Sequence, residues 1–189
     1  MKRLLKMKGT QIIILLWFIL YLLSIGTNIV FFLGGKGFDL IDGEYYRIIT
    51  VSLLHNKFWH LSVNCLALFW IGYYLESHIG SGKYVLFAIV SCTISEAIFL
   101  SIYRNTDRSV GGSSMTFSLI GLIIILLYLK PSFPRFKLGT WYGNWILIYA
   151  IAGNLPVIPA ITISTIVLHG ISLIIGVLLG TILIKTDLL

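Results

Sequence analysis

Apolar runs of membrane-spanning length constrain this chain more than any other feature. They fall at about 11–33, 60–77, 84–103 and 113–129, and a longer run extends from about 145 to 184. A hydrocarbon core about 30 Å thick is crossed by about 20 apolar residues in a helix, so each run is a candidate span and the last is long enough for two. Gly153, Asn154, Pro156 and Pro159 interrupt that last run with residues that end helices and mark turns. The expected spans there are about 143–157 and 164–184, the alternative being one kinked helix. The expected fold class is all-α, a polytopic membrane protein with six transmembrane helices.

Composition excludes the soluble classes. Of 189 residues 58% are hydrophobic and 11% charged, against about 25% charged in a soluble domain, which leaves too little polar surface for a water-soluble globule. The formal charge of +7 would suggest a nucleic-acid partner in a soluble protein. Here the basic residues sit at the ends of apolar runs, so they read as topology signals and no nucleic acid is expected. With six spans, Lys2, Arg3, Lys6, Lys8, Lys83, Lys130, Arg135, Lys137 and Lys185 share the side of the termini. Lys36, Arg47, Lys57, Arg104 and Arg108 occupy the other side. The larger set places both termini in the cytoplasm.

The expected organisation is a basic cytoplasmic tail at 1–10, a membrane domain at 11–186 and a cytoplasmic C-terminus at 187–189. The first apolar run is too long for a cleaved signal and carries no small-x-small cleavage site, so it reads as a retained span. A short chain without presequence or extra domain suggests a bacterial plasma membrane. The outer loop at about 34–59, with its GGKG and aromatic run, is expected on or partly in the interface. Cys65 and Cys92 lie inside apolar segments without metal-ligand spacing, so neither a disulfide framework nor a zinc site is indicated.

Polar side chains inside spans are costly and invite a functional reading. His60, Asn64, Glu96, Ser113 and His169 stand out. At 1.5 Å per residue, Ser113 lies about 25 Å above Lys130, His169 about 24 Å above Lys185, and His60 about 24 Å above Glu76. These three share one level, a few ångströms below the outer surface. A hydroxyl and an imidazole at one depth on different helices suit nucleophilic catalysis, because serine is a weak nucleophile until a base takes its proton. His60 and Asn64, at i and i+4, project from one face and are expected to donate toward a common point, as oxyanion donors do. Taken singly, each polar residue reads better as helix-to-helix glue than as a catalyst, Ser113 most of all. Ser172, Gly176 and Gly180 continue the face of His169 as a small-residue stripe, and Ser114, Ser118 and Gly121 follow Ser113, so close backbone approach is expected there.

Three blocks in this order resemble the rhomboid family of intramembrane serine proteases, from about Glu44 to Gly180. They are EYYRIITVSLLHNKFWHLSVNCLALFWIGYYLE with its H-x-x-x-N motif, VGGSSMTFSLIG, similar to the G-x-S-G block, and HGISLIIGVLLG. The resemblance implies a six-helix rhomboid-like bundle in which Ser113 is the nucleophile and His169 the general base. It implies that His60, Asn64 and the Ser113 backbone N–H stabilise the oxyanion, and that no metal or cofactor takes part. Arg47 would belong to a membrane-embedded first loop, and Gly153 to about Ser164 to a mobile fifth helix and cap loop admitting substrate. Downstream spacing selects Ser113 over Ser114, since Ser118, Leu119 and Gly121 then fall at the family's small, Leu and Gly positions.

The chain departs from the family pattern at Ser114 and Ser172, where glycine is usual, at Phe117 for a tyrosine, and at Tyr46-Arg47 for Trp-Arg. Ser114 and Ser172 add atoms where two helices touch, and Phe117 is expected to stack on the imidazole without offering a hydroxyl. Glu96, at a similar depth, is expected to make a structural hydrogen bond. The implied function is an intramembrane serine endopeptidase that cleaves single-span proteins within or near the membrane through an acyl-enzyme. Its expected partners are transmembrane substrates and the lipid bilayer, with no signal of oligomeric state. The alternatives are a catalytically silent relative that binds transmembrane helices and, less favoured, a small transporter.

Overall fold

The computed structural model describes residues 7–156 and 161–189. Its elements are α1 (Lys8–Gly26), α2 (Ile29–Leu33), α3 (Arg47–Thr50), a 3₁₀ turn at Val51–Leu53, α4 (Phe58–Ile79), α5 (Ser81–Ile102), α6 (Ser113–Leu129), α7 (Trp141–Ala152) and α8 (Ile163–Lys185). Among the described residues there is no strand, only an isolated antiparallel bridge between Gly35 and Ser109. By length and apolar character α1, α5 and α8 are each able to cross a bilayer, and α6 is a shorter apolar helix. Large apolar side chains such as Ile12, Ile25, Leu86 and Ile174 are exposed on these helices, as lipid-facing surface requires.

Two boundaries differ from the sequence expectation. The run at 11–33 is two helices, because Thr27 turns to extended backbone. Its hydroxyl bonds Leu23 O at 2.7 Å and accepts from the Ile29 N–H at 3.3 Å, competing with the helical ladder. The segment expected at 143–157 leaves the helix after Ala152, and Gly153–Pro156 form a turn. Residue 157 and Pro159 lie outside the described residues. Thr140 and Thr162 cap α7 and α8, each accepting a backbone N–H at 3.2 Å.

Helix α6 is the axis of the bundle: every residue from Ser113 to Ile123 is buried. A helix that is apolar all round can be satisfied only by neighbours on every side, which α4, α5, α7 and α8 supply. Its closest partner is α8. A Cβ added at Gly176 would run into the Ser118 carbonyl, and one at Gly121 into Leu173 O, so these glycines let the two backbones touch.

Two buried polar knots hold the surrounding elements. The Glu76 carboxylate, 1% exposed, accepts from Gly9 N–H at 2.7 Å, Thr10 N–H at 2.9 Å, and the hydroxyls of Thr10 and Ser81 at 2.5 Å each. It lies at the last turn of α4, where a negative charge is disfavoured, yet serves the N-termini of α1 and α5, where it is favoured. In the loop of residues 34–57, Arg47 is equally buried. Its Nε donates to Glu44 at 2.8 Å and its Nη1 to Phe31 O at 2.8 Å and Gly34 O at 3.0 Å, while Lys36 pairs with Glu44 at 3.0 Å.

Gly176→Ala should force α6 and α8 apart and lower stability by about 1–3 kcal/mol, the usual cost of overpacking. Thermal unfolding in detergent measures this, and an unchanged melting point would mean the backbones are not in contact. A second prediction concerns pH. Arg47, then Lys36, hold the Glu44 carboxyl at about 2, below its ordinary 4.5. A lowered folded-state value stabilises above the unfolded value and is lost as pH falls toward the folded one. The melting difference between wild type and Glu44→Gln should therefore be full above pH 4.5 and close as pH falls toward 2.

Candidate active site

Ser113 is the first residue of α6 and 8% exposed, with Gly112 as its N-cap. The first N–H groups of a helix have no intrahelical acceptor and carry the positive end of its dipole, so the Ser113 hydroxyl stands beside a ready anion site. Gly111, at φ 144°, makes the approach to this helix start. A Cβ there would meet His60 Cε1 at 2.6 Å, so the half-buried His60 ring lies against the Gly111 backbone.

His169 projects from α8 and is 3% exposed. Its Nδ1 lies 2.9 Å from Gly153 O, at the end of α7. A carbonyl can only accept, so Nδ1 carries the proton and Nε2 holds a lone pair. That Nε2 is buried and has no hydrogen-bond partner, so the Ser113–His169 hydrogen bond is not formed in this structure. Phe117 stacks on the imidazole, 4.0 Å between centroids at 15°. Ser172 and Ser118 turn their hydroxyls back to the carbonyls four residues earlier on their own helices, both at 2.7 Å, so neither reaches across the contact.

Asn64 is buried and its amide is held on both sides. Its Nδ2 faces His55 Nε2 at 3.2 Å, and its Oδ1 accepts from the Tyr149 hydroxyl at 2.7 Å. His55 Nε2 also accepts the Gly112 N–H at 3.3 Å, tying this histidine to the glycine before Ser113. Burial, with a smaller contribution from His60, holds the His55 imidazole down to about 3, so it is neutral and able to accept. Tyr149 further contacts Thr116 Oγ1 at 2.7 Å, and Thr116 Oγ1 lies 2.8 Å from Ser113 O. The structure thus gathers Ser113, His169, Phe117, His60 and Asn64 at the N-terminal end of α6, whereas the hydrogen bonds of Arg47 go to Glu44, Phe31 and Gly34, away from that group.

His55 and Tyr149 were not singled out by sequence. His55 stands in a loop, outside any inventory of polar residues in spans, and Tyr149 counts as an aromatic in an apolar run. The only signal for His55 was a second imidazole five residues before His60. Glu96 does not make the expected hydrogen bond in good geometry: both oxygens and Ser114 Oγ are buried without partners, although the two side chains face each other. Among the described residues no three His, Cys, Asp or Glu side chains are placed to hold a metal ion.

Comparison with known proteins agrees with this architecture. The Rhomboid domain family matches residues 42–186. Rhomboid protease GluP of Bacillus subtilis is 33% identical over 132 residues, 68% of this chain and 24% of that protein. RHOMBOID-like protein 4 of Arabidopsis thaliana is 26% identical over 118 residues, 62% of this chain and 29% of that protein. Putative rhomboid protease YdcA of Bacillus subtilis is 29% identical over 97 residues, 51% of this chain and 48% of that protein. The matched segments therefore span less than half the length of these relatives. Helical membrane architecture, the three sequence blocks and the domain match together make this chain a member of the rhomboid family.

Proposed function

We propose that this protein is an intramembrane serine endopeptidase that cuts single-span proteins within or near their transmembrane segments. The observation that carries the reading is the tautomer of His169: with Nδ1–H given to Gly153 O, the unpartnered Nε2 is free to accept a proton. In this reading Ser113 Oγ attacks the scissile carbonyl carbon and its proton passes to Nε2. The tetrahedral oxyanion is held by the N–H groups at the start of α6, the Asn64 amide and His60, each well-aimed donor contributing about 3–4 kcal/mol. Collapse breaks the C–N bond, and His169 gives its proton to the departing amine. A water then loses its proton to Nε2 and attacks the ester, releasing the acid and restoring Ser113. Phe117 supports the imidazole by stacking, and Arg47 acts at a distance by holding its loop.

The same reading takes α4, α6 and α7 as spans beside α1, α5 and α8, which gives six. It places the basic segments at 1–10 and 130–137 in the cytoplasm with both termini, in a bacterial plasma membrane. The site then lies near the outer surface, where water for deacylation is within reach. The absence of a carboxylate beside His169 is consistent with a dyad, since a carbonyl performs the orienting task.

Covalent labelling by a fluorophosphonate probe in detergent tests the assignment. Wild type and Ser114→Ala should label, while Ser113→Ala should lose all labelling and His169→Ala should lose it by about 10³-fold or more, as removal of a general base does. Folded wild type without labelling would favour the silent helix-binding relative, and labelling lost in Ser114→Ala would shift the register by one residue.

A further inference from the structure

The hydrogen bonds behind Asn64 can be given a direction from one unambiguous donor. The Gly112 N–H has only a proton to give, so His55 Nε2 is an acceptor. The Asn64 group facing that nitrogen must then be the NH₂, which turns Oδ1 toward Tyr149. Oδ1 has no proton, so the Tyr149 hydroxyl donates to it. With that single proton committed, the Tyr149 oxygen can only accept, and the one Thr116 hydroxyl proton is shared between it and Ser113 O at 2.8 Å. The directed chain therefore runs from Tyr149 to Asn64 and on to His55, with Thr116 beside the tyrosine oxygen, and every member is buried.

We propose that Tyr149 is a positioning residue: its hydroxyl locks the Asn64 amide, keeping the second Nδ2 proton available to an oxyanion at Ser113. Gly153, one turn further along α7, holds His169 through its carbonyl. The C-terminal end of α7 thus orients both the oxyanion donor and the base. A substrate that displaced α7 would release both at once, so productive cleavage requires α7 in place. The inference deepens the protease reading and rests on it. Tyrosine is needed for its hydroxyl: the ring, 5.4 Å from Phe117, would pack the same way as phenylalanine.

The test is a kinetic cycle on a single-span reporter protein in proteoliposomes, with wild type, Tyr149→Phe, Asn64→Ala and the double variant. Tyr149→Phe should lower kcat about tenfold with KM unchanged, the scale of one lost buried hydrogen bond. Asn64→Ala should lower kcat about 10²-fold or more, and the double variant should be no slower than Asn64→Ala alone. A merely structural role would multiply the two losses, because independent sites add in free energy. That multiplication, or wild-type kcat in Tyr149→Phe, overturns the inference and leaves the protease reading standing. A wild type that neither cleaves nor labels at Ser113 overturns the protease reading and the inference with it. Should Tyr149→Phe fail to fold, Thr116→Val, which removes the hydroxyl in contact with the tyrosine oxygen, takes its place in the cycle with an expected loss of about threefold.

Discussion

The contact between α6 and α8 is what the rest of the structure depends on. Lipid tails are as apolar as the helix surfaces, so burial of apolar area does little to drive these helices together, and association rests on close packing. Gly176 lies against the Ser118 backbone, Gly121 against Leu173 O and Gly180 against Leu122 and Ile125. Small residues on both partners bring the two backbones together, and above them Phe117 of α6 stacks on His169 of α8. The serines that replace glycine nearby, Ser114 and Ser172, are fully buried, Ser114 with its side chain facing Glu96 of α5. Ser172 satisfies its hydroxyl on its own helix, which is how a polar side chain is accommodated between helices without a partner across the gap.

Around this axis, two buried charged side chains are fully partnered. Glu76 receives four hydrogen bonds and ties α1 and α5 to the end of α4. Arg47 is matched to a carboxylate and two carbonyls, and so fixes the outer loop to the turn after α1. Each would cost several kcal/mol if left bare in a low-dielectric interior. Against that background the buried groups without partners are conspicuous: His169 Nε2, Trp17 Nε1 and the facing pair Glu96 and Ser114. For His169 the vacancy matches the proposed role, since a general base needs a free lone pair. Glu96 has no role that the structure explains.

The orientation of the imidazole comes from the backbone. Gly153 O at the end of α7 accepts from Nδ1 and thereby fixes the tautomer, the task a carboxylate performs in a triad. Helix α7 thus contacts two of the candidate residues, His169 through the Gly153 carbonyl at its C-terminal end and Asn64 through the Tyr149 hydroxyl.

Much of this was legible in the sequence. The apolar runs announced the helices, because hydropathy is a local property and lipid demands it over a whole span. The H-x-x-x-N block, the serine after paired glycines and the histidine followed by a small-residue stripe carried the family and the candidate residues. Helix ends were less legible: nothing in the hydropathy of 11–33 reveals that the Thr27 hydroxyl breaks the ladder. Tertiary structure alone decided the partners of each polar atom. Asn64 was expected to donate, with His60, toward a common point, and nothing in the sequence pointed to the partners that hold its amide, His55 and Tyr149, residues 9 and 85 positions away. Periodicity records which face of a helix is polar, whereas a hydrogen bond requires a second chain segment at 3 Å, and that distance exists only once the helices have packed.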